Sequence, residues 1–261
     1  MKLSAPDFSL EHTLSSGQVF RYKRVQEGFL VSHRDKAFVI SQDNDLLTVH
    51  YSTPNVTEAW LREFFSLDDE LPEPVDEYTA AALEYCSGLR ICKQDKWECT
   101  IAFICSQNNN IKRIQQLMNG LAKAFGKRVL LGGHEAYLFP EPGEIKSGAK
   151  LSAIKLGYRE QYILEANKLT DEWLASLQKL PYEEARELLL DLQGIGPKVA
   201  GCILLFGYQH NSFPIDTWIE QVMRTEYNCS SKKEMEEKAA LLFGTNKGKL
   251  QQYIFHYARN R

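Results

Sequence analysis

The hydrophobic pattern of this chain changes period partway along, from two residues to about 3.6, and few features restrict the available folds more. In the first 50 or so residues, "GFLVS", "KAFVIS" and "LLTVHY" are β-branched and aromatic runs. They are separated by "HRD" and "QDND", turn-forming clusters that join strands into an antiparallel meander. "TEAWLREFFSL" reads as a short helix closing that unit, and the acidic, proline-bearing "DDELPEPVDE" as a linker. Beyond it, Ile111, Ile114, Leu117, Leu121 and Phe125 share one helical face, and "EEARELLLDL" and "EEKAALLFG" are patterned in the same way. The expected architecture is α+β, with a small antiparallel β-rich domain over residues 1–75 and a larger, all-α domain over 76–261.

Composition narrows the function classes. Apolar residues make up 44% and charged residues 25% of the 261, the balance of a soluble globular protein rather than a disordered one. No apolar stretch approaches the ~18 residues of a membrane span. The N-terminal "MKLSAPDFSL" lacks the hydrophobic centre of a secretory signal, so the chain reads as intracellular, without a membrane partner. None of the six cysteines forms a C-x-x-C pair, which makes buried thiols the expectation and gives no ground for a metal or another cofactor. A net charge of -3 excludes an indiscriminate polyanion binder. A nucleic-acid surface must then be local. Two acid-free stretches could supply it: 111–128, with Lys112, Arg113, Lys123, Lys127 and Arg128, and 145–159, with Lys146, Lys150, Lys155 and Arg159.

"YEEARELLLDLQGIGPKVAGCILLFGY" holds two helices joined by "LQGIGPK". Gly194 and Gly196 permit a tight hairpin and close backbone approach, and Pro197 suits the first position of the second helix. The unpaired N–H groups there form a phosphate site. This is helix-hairpin-helix spacing; a purely structural αα-hairpin is the alternative. Lys198 follows the proline, with the small residues Gly201 and Cys202 above it on the same face, which implies a cavity. Partial desolvation beside a helix N-terminus lowers a lysine pKa toward a nucleophilic free amine. A first-turn lysine pointing into water is the competing reading.

A second group joins it. Asp216 in "NSFPIDTWIEQVM" precedes another helix. The helix after Pro197 is ~15 Å long, and the residues from its end to Asp216 reach up to ~26 Å, so Asp216 can return to Lys198. It can also cap its own helix, with Thr217 and Glu220 offering a competing capping box.

These residues resemble the helix-hairpin-helix DNA glycosylases, and the chain as a whole is similar to the 8-oxoguanine DNA glycosylase/AP lyase family. "LSSGQVFRY", "QDKWECTIAFICSQNNNIKRI", "KLGYREQYI", "LQGIGPKVAGC" and "FPIDTW" occur in the family's order and approximate spacing. The resemblance implies that Lys198 attacks the anomeric carbon, expels the base and forms a Schiff base that permits β-elimination, with Asp216 stabilising the oxocarbenium-like charge. It implies a base extruded from the duplex, held between Cys202 and Phe255 beside Pro214, read by Gln251, and recognised by the Gly17 carbonyl through the N7 hydrogen that guanine lacks. Asn108 would fill the vacated stack, Tyr158 would wedge beside the opposite base, Arg113 and Arg159 would bond the orphaned cytosine, and Gly194 and Gly196 would lie along the DNA backbone. The implied partner is double-stranded DNA carrying 8-oxoguanine opposite cytosine, bound by a monomer. Working compartments would be the nucleoid-associated cytoplasm in a prokaryote or the nucleus in a eukaryote.

Gly201 and Trp218 stand where eukaryotic members of the family carry an aspartate and a histidine, and Trp218 removes a phosphate contact. Rival classes leave different signatures. An endonuclease III or adenine glycosylase type usually carries a four-cysteine cluster near the C-terminal end of the catalytic domain, where this chain has only two cysteines after the lysine, Cys202 inside the helix and Cys229 beyond it. Alkylated-base glycosylases generally keep the aspartate without the lysine. A non-enzymatic helix-hairpin-helix module would bind duplex DNA with no covalent intermediate.

Overall fold

The computed structural model describes residues 1–261. The N-terminal part contains β1 (Lys2–Ser4), α1 (Leu10–Ser15), β2 (Tyr22–Val25), β3 (Gly28–His33), β4 (Lys36–Asp43), β5 (Leu46–Ser52) and α2 (Glu58–Phe64). There follow α3 (Glu77–Tyr85), α4 (Lys96–Ser106), α5 (Ile111–Phe125), β6 (Arg128–Leu131), β7 (His134–Tyr137), α6 (Ala149–Ser152), α7 (Arg159–Ala166) and α8 (Asp171–Ser176). The chain ends with α9 (Tyr182–Leu190), α10 (Pro197–Tyr208), α11 (Thr217–Thr225), α12 (Lys232–Phe243) and α13 (Lys247–Asn260).

The sheet is antiparallel in the order β1-β5-β4-β3-β2. The three strands expected from sequence form its centre, and β1 and β2 extend it at the edges. Those two escape a pattern search for physical reasons: β1 is three residues long, and "YKRV" in β2 is too polar to read as a strand.

The helical part departs from the all-α expectation by one hairpin, β6–β7. Gly132 and Gly133 turn it, with φ of 55° and 88°, as the mirror-image turns favoured by two-residue hairpins require. The hairpin belongs to the sheet as much as to the helices, because alternate strand residues face opposite ways. Phe29, Val31, Phe38 and Ile40 join the core beneath α1 and α2, whereas Leu30, Ala37 and Val39 are covered by Leu131 and Ala136 of the hairpin. A sheet buried on both faces explains why β3 and β4 are continuously apolar at their centres.

The largest core, 32 residues, forms around α4 and α10, which cross with the rings of Phe103 and Phe206 stacked 5.3 Å apart. The sheet core and this helical core exchange members. Phe20 belongs to the helical core and Cys92 to the sheet core, so the loop after α1 is anchored against the helices. That loop supplies one wall of the site.

Candidate active site between the α1–β2 loop, α10, α11 and α13

Pro197 is the first residue of α10, and Gly196 caps it without a side-chain hydrogen bond, leaving the first N–H groups free. The two hairpin glycines differ in purpose. Gly194 has φ of 84°, and a Cβ there would meet the Tyr162 ring at 2.2 Å, so this glycine seats the hairpin on α7. Gly196 has nothing within 4 Å of its ideal Cβ, which leaves open space for a backbone approaching from outside.

In the first turn of the chain's most apolar helix, Lys198 is half-buried, with Nζ 5.6 Å from the Phe103 ring centroid. Asp216 returns to it. Both line a cleft of about 500 Å³ whose walls include Gly17, Phe255 and Trp218. A recess of about 40 Å³ continues inward from it, adding Cys202, Pro214 and Gln251. A separate cavity of about 250 Å³ below the 66–72 segment holds none of these residues.

Asp216 is the N-cap of α11, accepting from Ile219 N–H at 2.8 Å. Burial pushes its carboxyl above the ordinary aspartate range, against the pull of the cap N–H groups and of Lys198. The competing capping box does not form, because Glu220 pairs with Arg224 at 2.8 Å. Burial likewise raises the Cys202 thiol, with Lys198 opposing, so this wall is neutral at pH 7.

The space expected above Lys198 has a different origin from the one the sequence suggests. A Cβ on Gly201 would lie 3.1 Å from Ser212 Oγ and 3.5 Å from Pro214 Cγ. Gly201 thus makes room for the 212–214 segment that carries Pro214 and Asp216 into place, and Cys202 alone of the pair borders the recess. A side chain at 201 would press on Ser212 Oγ, which would have to give by a few tenths of an ångström.

Two residues that line the recess each carry an acceptor without a partner. Gln251 donates from Nε2 to the Pro214 carbonyl at 3.1 Å, but its Oε1 is buried without a donor. The Gly17 carbonyl accepts no hydrogen bond from the chain. Gly17 has φ of 82°, and a Cβ on it would meet Ile111, Arg259 and Phe255 within 3.2 Å.

The remaining expected residues gather at a rim formed by the α4–α5 and α6–α7 loops and the first turns of α5 and α7. Asn108, at φ of 50°, donates from Nδ2 to Tyr158 Oη at 3.0 Å. It does not cap α5; Asn110 does, accepting from Arg113 N–H at 2.9 Å. Tyr158 is 48% exposed, with the Arg159 guanidinium 4.4 Å from its ring centroid. Arg159 is buried and turned inward, donating from Nε and Nη2 to the Gln107 carbonyl and from Nη1 to that of Leu156. Arg113 is half-buried and bonds the Lys155 carbonyl at 2.8 Å. Sequence reasoning missed Phe103, which floors the lysine, and Arg259 and Gln252, discussed below. Phe103 lies inside a quoted motif but reads as ordinary core.

The fold is found in a solved DNA glycosylase of low sequence identity. The 3-methyladenine DNA glycosylase of Archaeoglobus fulgidus has it at 19% identity and a TM-score of 0.78, over 99% of this chain and 98% of that one. Other likenesses are more specific. The family model described as 8-oxoguanine DNA glycosylase, N-terminal domain, matches residues 1–100. The N-glycosylase/DNA lyase OGG1 of Arabidopsis thaliana is 32% identical over 247 residues, 85% of this chain and 67% of that protein. A Clostridium acetobutylicum 8-oxoguanine glycosylase/lyase, solved with double-stranded DNA containing cytosine opposite 8-oxoguanine, superposes with a TM-score of 0.87 at 26% identity, over 100% of this chain and 98% of that one. The chain belongs to the 8-oxoguanine DNA glycosylase/lyase family.

Proposed function

We propose that this protein excises 8-oxoguanine from duplex DNA and then cleaves the strand at the resulting site, with Lys198 as nucleophile and Asp216 as its electrostatic partner. The observation that carries this reading is the convergence of that amine and carboxylate on one cleft, above a recess lined by two residues with unpartnered acceptors, the Gly17 carbonyl and Gln251 Oε1.

The extruded nucleotide enters with its base in the recess and its sugar at Lys198. The base lies between Cys202 and Phe255, beside Pro214. Asp216 stabilises positive charge as it develops on the sugar. The lysine nitrogen bonds to the anomeric carbon while the glycosidic bond breaks, its electron pair leaving with the base, which takes up a proton. Opening of the sugar gives an iminium. Loss of a C2′ proton then breaks the C3′–O bond and releases the 3′ phosphate. Selectivity follows from an unpaired acceptor: 8-oxoguanine offers N7–H to the Gly17 carbonyl, whereas guanine presents a lone pair there. A buried acceptor left unmatched costs about 1–3 kcal/mol, which sets the scale of discrimination.

At the rim, Asn108 takes the vacated place in the stack, Tyr158 wedges beside the opposite base, and Arg113 and Arg159 bond cytosine. The α10 N-terminus and the open face of Gly196 receive a backbone phosphate, and Gly194 holds the hairpin that presents them. No helix is long and apolar enough to cross a membrane, and the enzyme acts as a monomer wherever the cell keeps its DNA, nucleoid or nucleus. The test is release of free 8-oxoguanine, with strand scission, from duplexes carrying it opposite each of the four bases. Release that is fastest opposite cytosine is expected. No release from any of the four would refute the reading.

A further inference from the structure

The cleft contains a cation to which the reading above gives no work. Arg259, in the last turn of α13, forms no ion pair. Its Nη2 donates to the Ser15 carbonyl at 2.7 Å and lies 3.2 Å from His256 Nδ1. Its guanidinium carbon is 5.3 Å from the Phe255 ring centroid, and Nη1 is buried without an acceptor. A buried donor left unpaired costs on the order of 1–3 kcal/mol, a cost that is set against the bond to Ser15. Residues that break a local rule in this way are concentrated at functional sites.

What Arg259 touches is the loop that carries Gly17. A Cβ on Gly17 would lie 2.9 Å from Nη1 and 3.2 Å from Phe255 Cε1, so the guanidinium rests against that residue. One position before Gly17, the Ser16 carbonyl accepts from Gln252 Nε2 at 2.9 Å. Helix α13 therefore holds two successive carbonyls of the loop, Ser15 through Arg259 and Ser16 through Gln252, and leaves the third, Gly17, unbonded. Peptide planes are rigid, so with the Ser16 plane held only φ and ψ of Gly17 remain to aim its carbonyl, and Ile111, Arg259 and Phe255 crowd that residue. A hydrogen bond weakens steeply as its angle closes, so the direction of that third carbonyl decides how much the N7 hydrogen contributes.

We propose that Arg259 is a positioning residue for damage discrimination, which aims the Gly17 carbonyl at the extruded base by holding the Ser15 carbonyl and supporting Phe255. The inference rests on the reading of Gly17 given above. It separates two reactions of one enzyme, because strand cleavage at a preformed abasic site requires Lys198 but no base.

The experiment compares wild type, Arg259→Met and Arg259→Lys on duplexes carrying 8-oxoguanine or an abasic site opposite cytosine, under single-turnover conditions. Arg259→Met should slow excision about tenfold or more while abasic cleavage changes less than about threefold. Arg259→Lys keeps a donor for the Ser15 carbonyl and should recover most of the excision rate. Equal losses in both reactions would assign Arg259 to DNA binding or packing and overturn the proposal, as would unchanged excision in Arg259→Met. Thermal melts establish folding; if the methionine variant does not fold, Arg259→Gln makes the same comparison. A wild type that cleaves abasic DNA but releases no 8-oxoguanine would refute the substrate reading itself, independently of Arg259.

Discussion

The recess and the rim are built from similar polar residues but differ in where their hydrogen bonds go. In the recess, the Gly17 carbonyl and Gln251 Oε1 have no partner, and the loop bearing Gly17 is fixed from behind. At the rim, Asn108 bonds Tyr158, Arg113 bonds the Lys155 carbonyl, and Arg159 bonds the Gln107 and Leu156 carbonyls. The first surface is ready for a ligand. The second satisfies itself and must exchange internal bonds for DNA. Preorganised groups contribute their full interaction energy on binding, whereas rearranging groups contribute only a difference. Base chemistry should therefore be more sensitive to recess substitutions than to rim substitutions.

The largest effect that sharpens this contrast is expected at Lys198. Lys198→Gln should reduce both excision and strand cleavage by about three orders of magnitude or more, measured under single turnover, because it removes the covalent route. Next comes Asp216→Asn, expected to slow excision on the order of a hundredfold through loss of charge stabilisation. The same change should raise the melting temperature at neutral pH. Burial gives Asp216 a raised pKa in the folded chain, so the folded state binds that proton more tightly than the unfolded one. The ionised form then costs stability above the raised pKa, and the cost disappears as pH falls through it. Asparagine retains the cap without the charge. The difference in melting temperature between the variant and wild type should therefore shrink as the solution is acidified.

Gly17→Ala is the intermediate case. Its Cβ would meet Ile111, Arg259 and Phe255 in a backbone conformation that favours glycine, and excision should fall about tenfold, with abasic cleavage affected less. The smallest effects belong to the rim. Arg159→Lys and Arg113→Ala should change 8-oxoguanine excision opposite cytosine by about tenfold or less and act mainly on the preference for cytosine. Hydrogen exchange can break the comparison outright. Addition of lesion duplex should alter protection of amides near Gln107–Asn110, while those of Ser15–Gln18 are already slow; the reverse pattern would mean that the recess, not the rim, is the part that rearranges.

Much of this arrangement was legible in the sequence because local rules operate there. The change of hydrophobic period separates sheet from helices, Pro197 starts α10, and Asp216 caps α11 as its position suggests. What was not legible depends on contacts between distant segments. Gly201 looked like space above the lysine, yet it accommodates Ser212 and Pro214. The "LGGH" turn of β6–β7 sits within a mainly helical region, and its two short strands pair only with each other. Arg259 lies in a polar C-terminal stretch, and its significance comes from Ser15, 244 residues away. Arg159 looked like a free surface cation, but no local pattern reports that its donors are already engaged.

The central claim is that the amine of Lys198 itself becomes bonded to the sugar of the damaged nucleotide. Borohydride reduction during turnover on an 8-oxoguanine duplex, followed by peptide mapping of the adduct, addresses it most directly. The expected result is a protein–DNA cross-link on the peptide containing Lys198, absent from Lys198→Gln. A cross-link on another residue, or none from an enzyme that is releasing 8-oxoguanine, would contradict it.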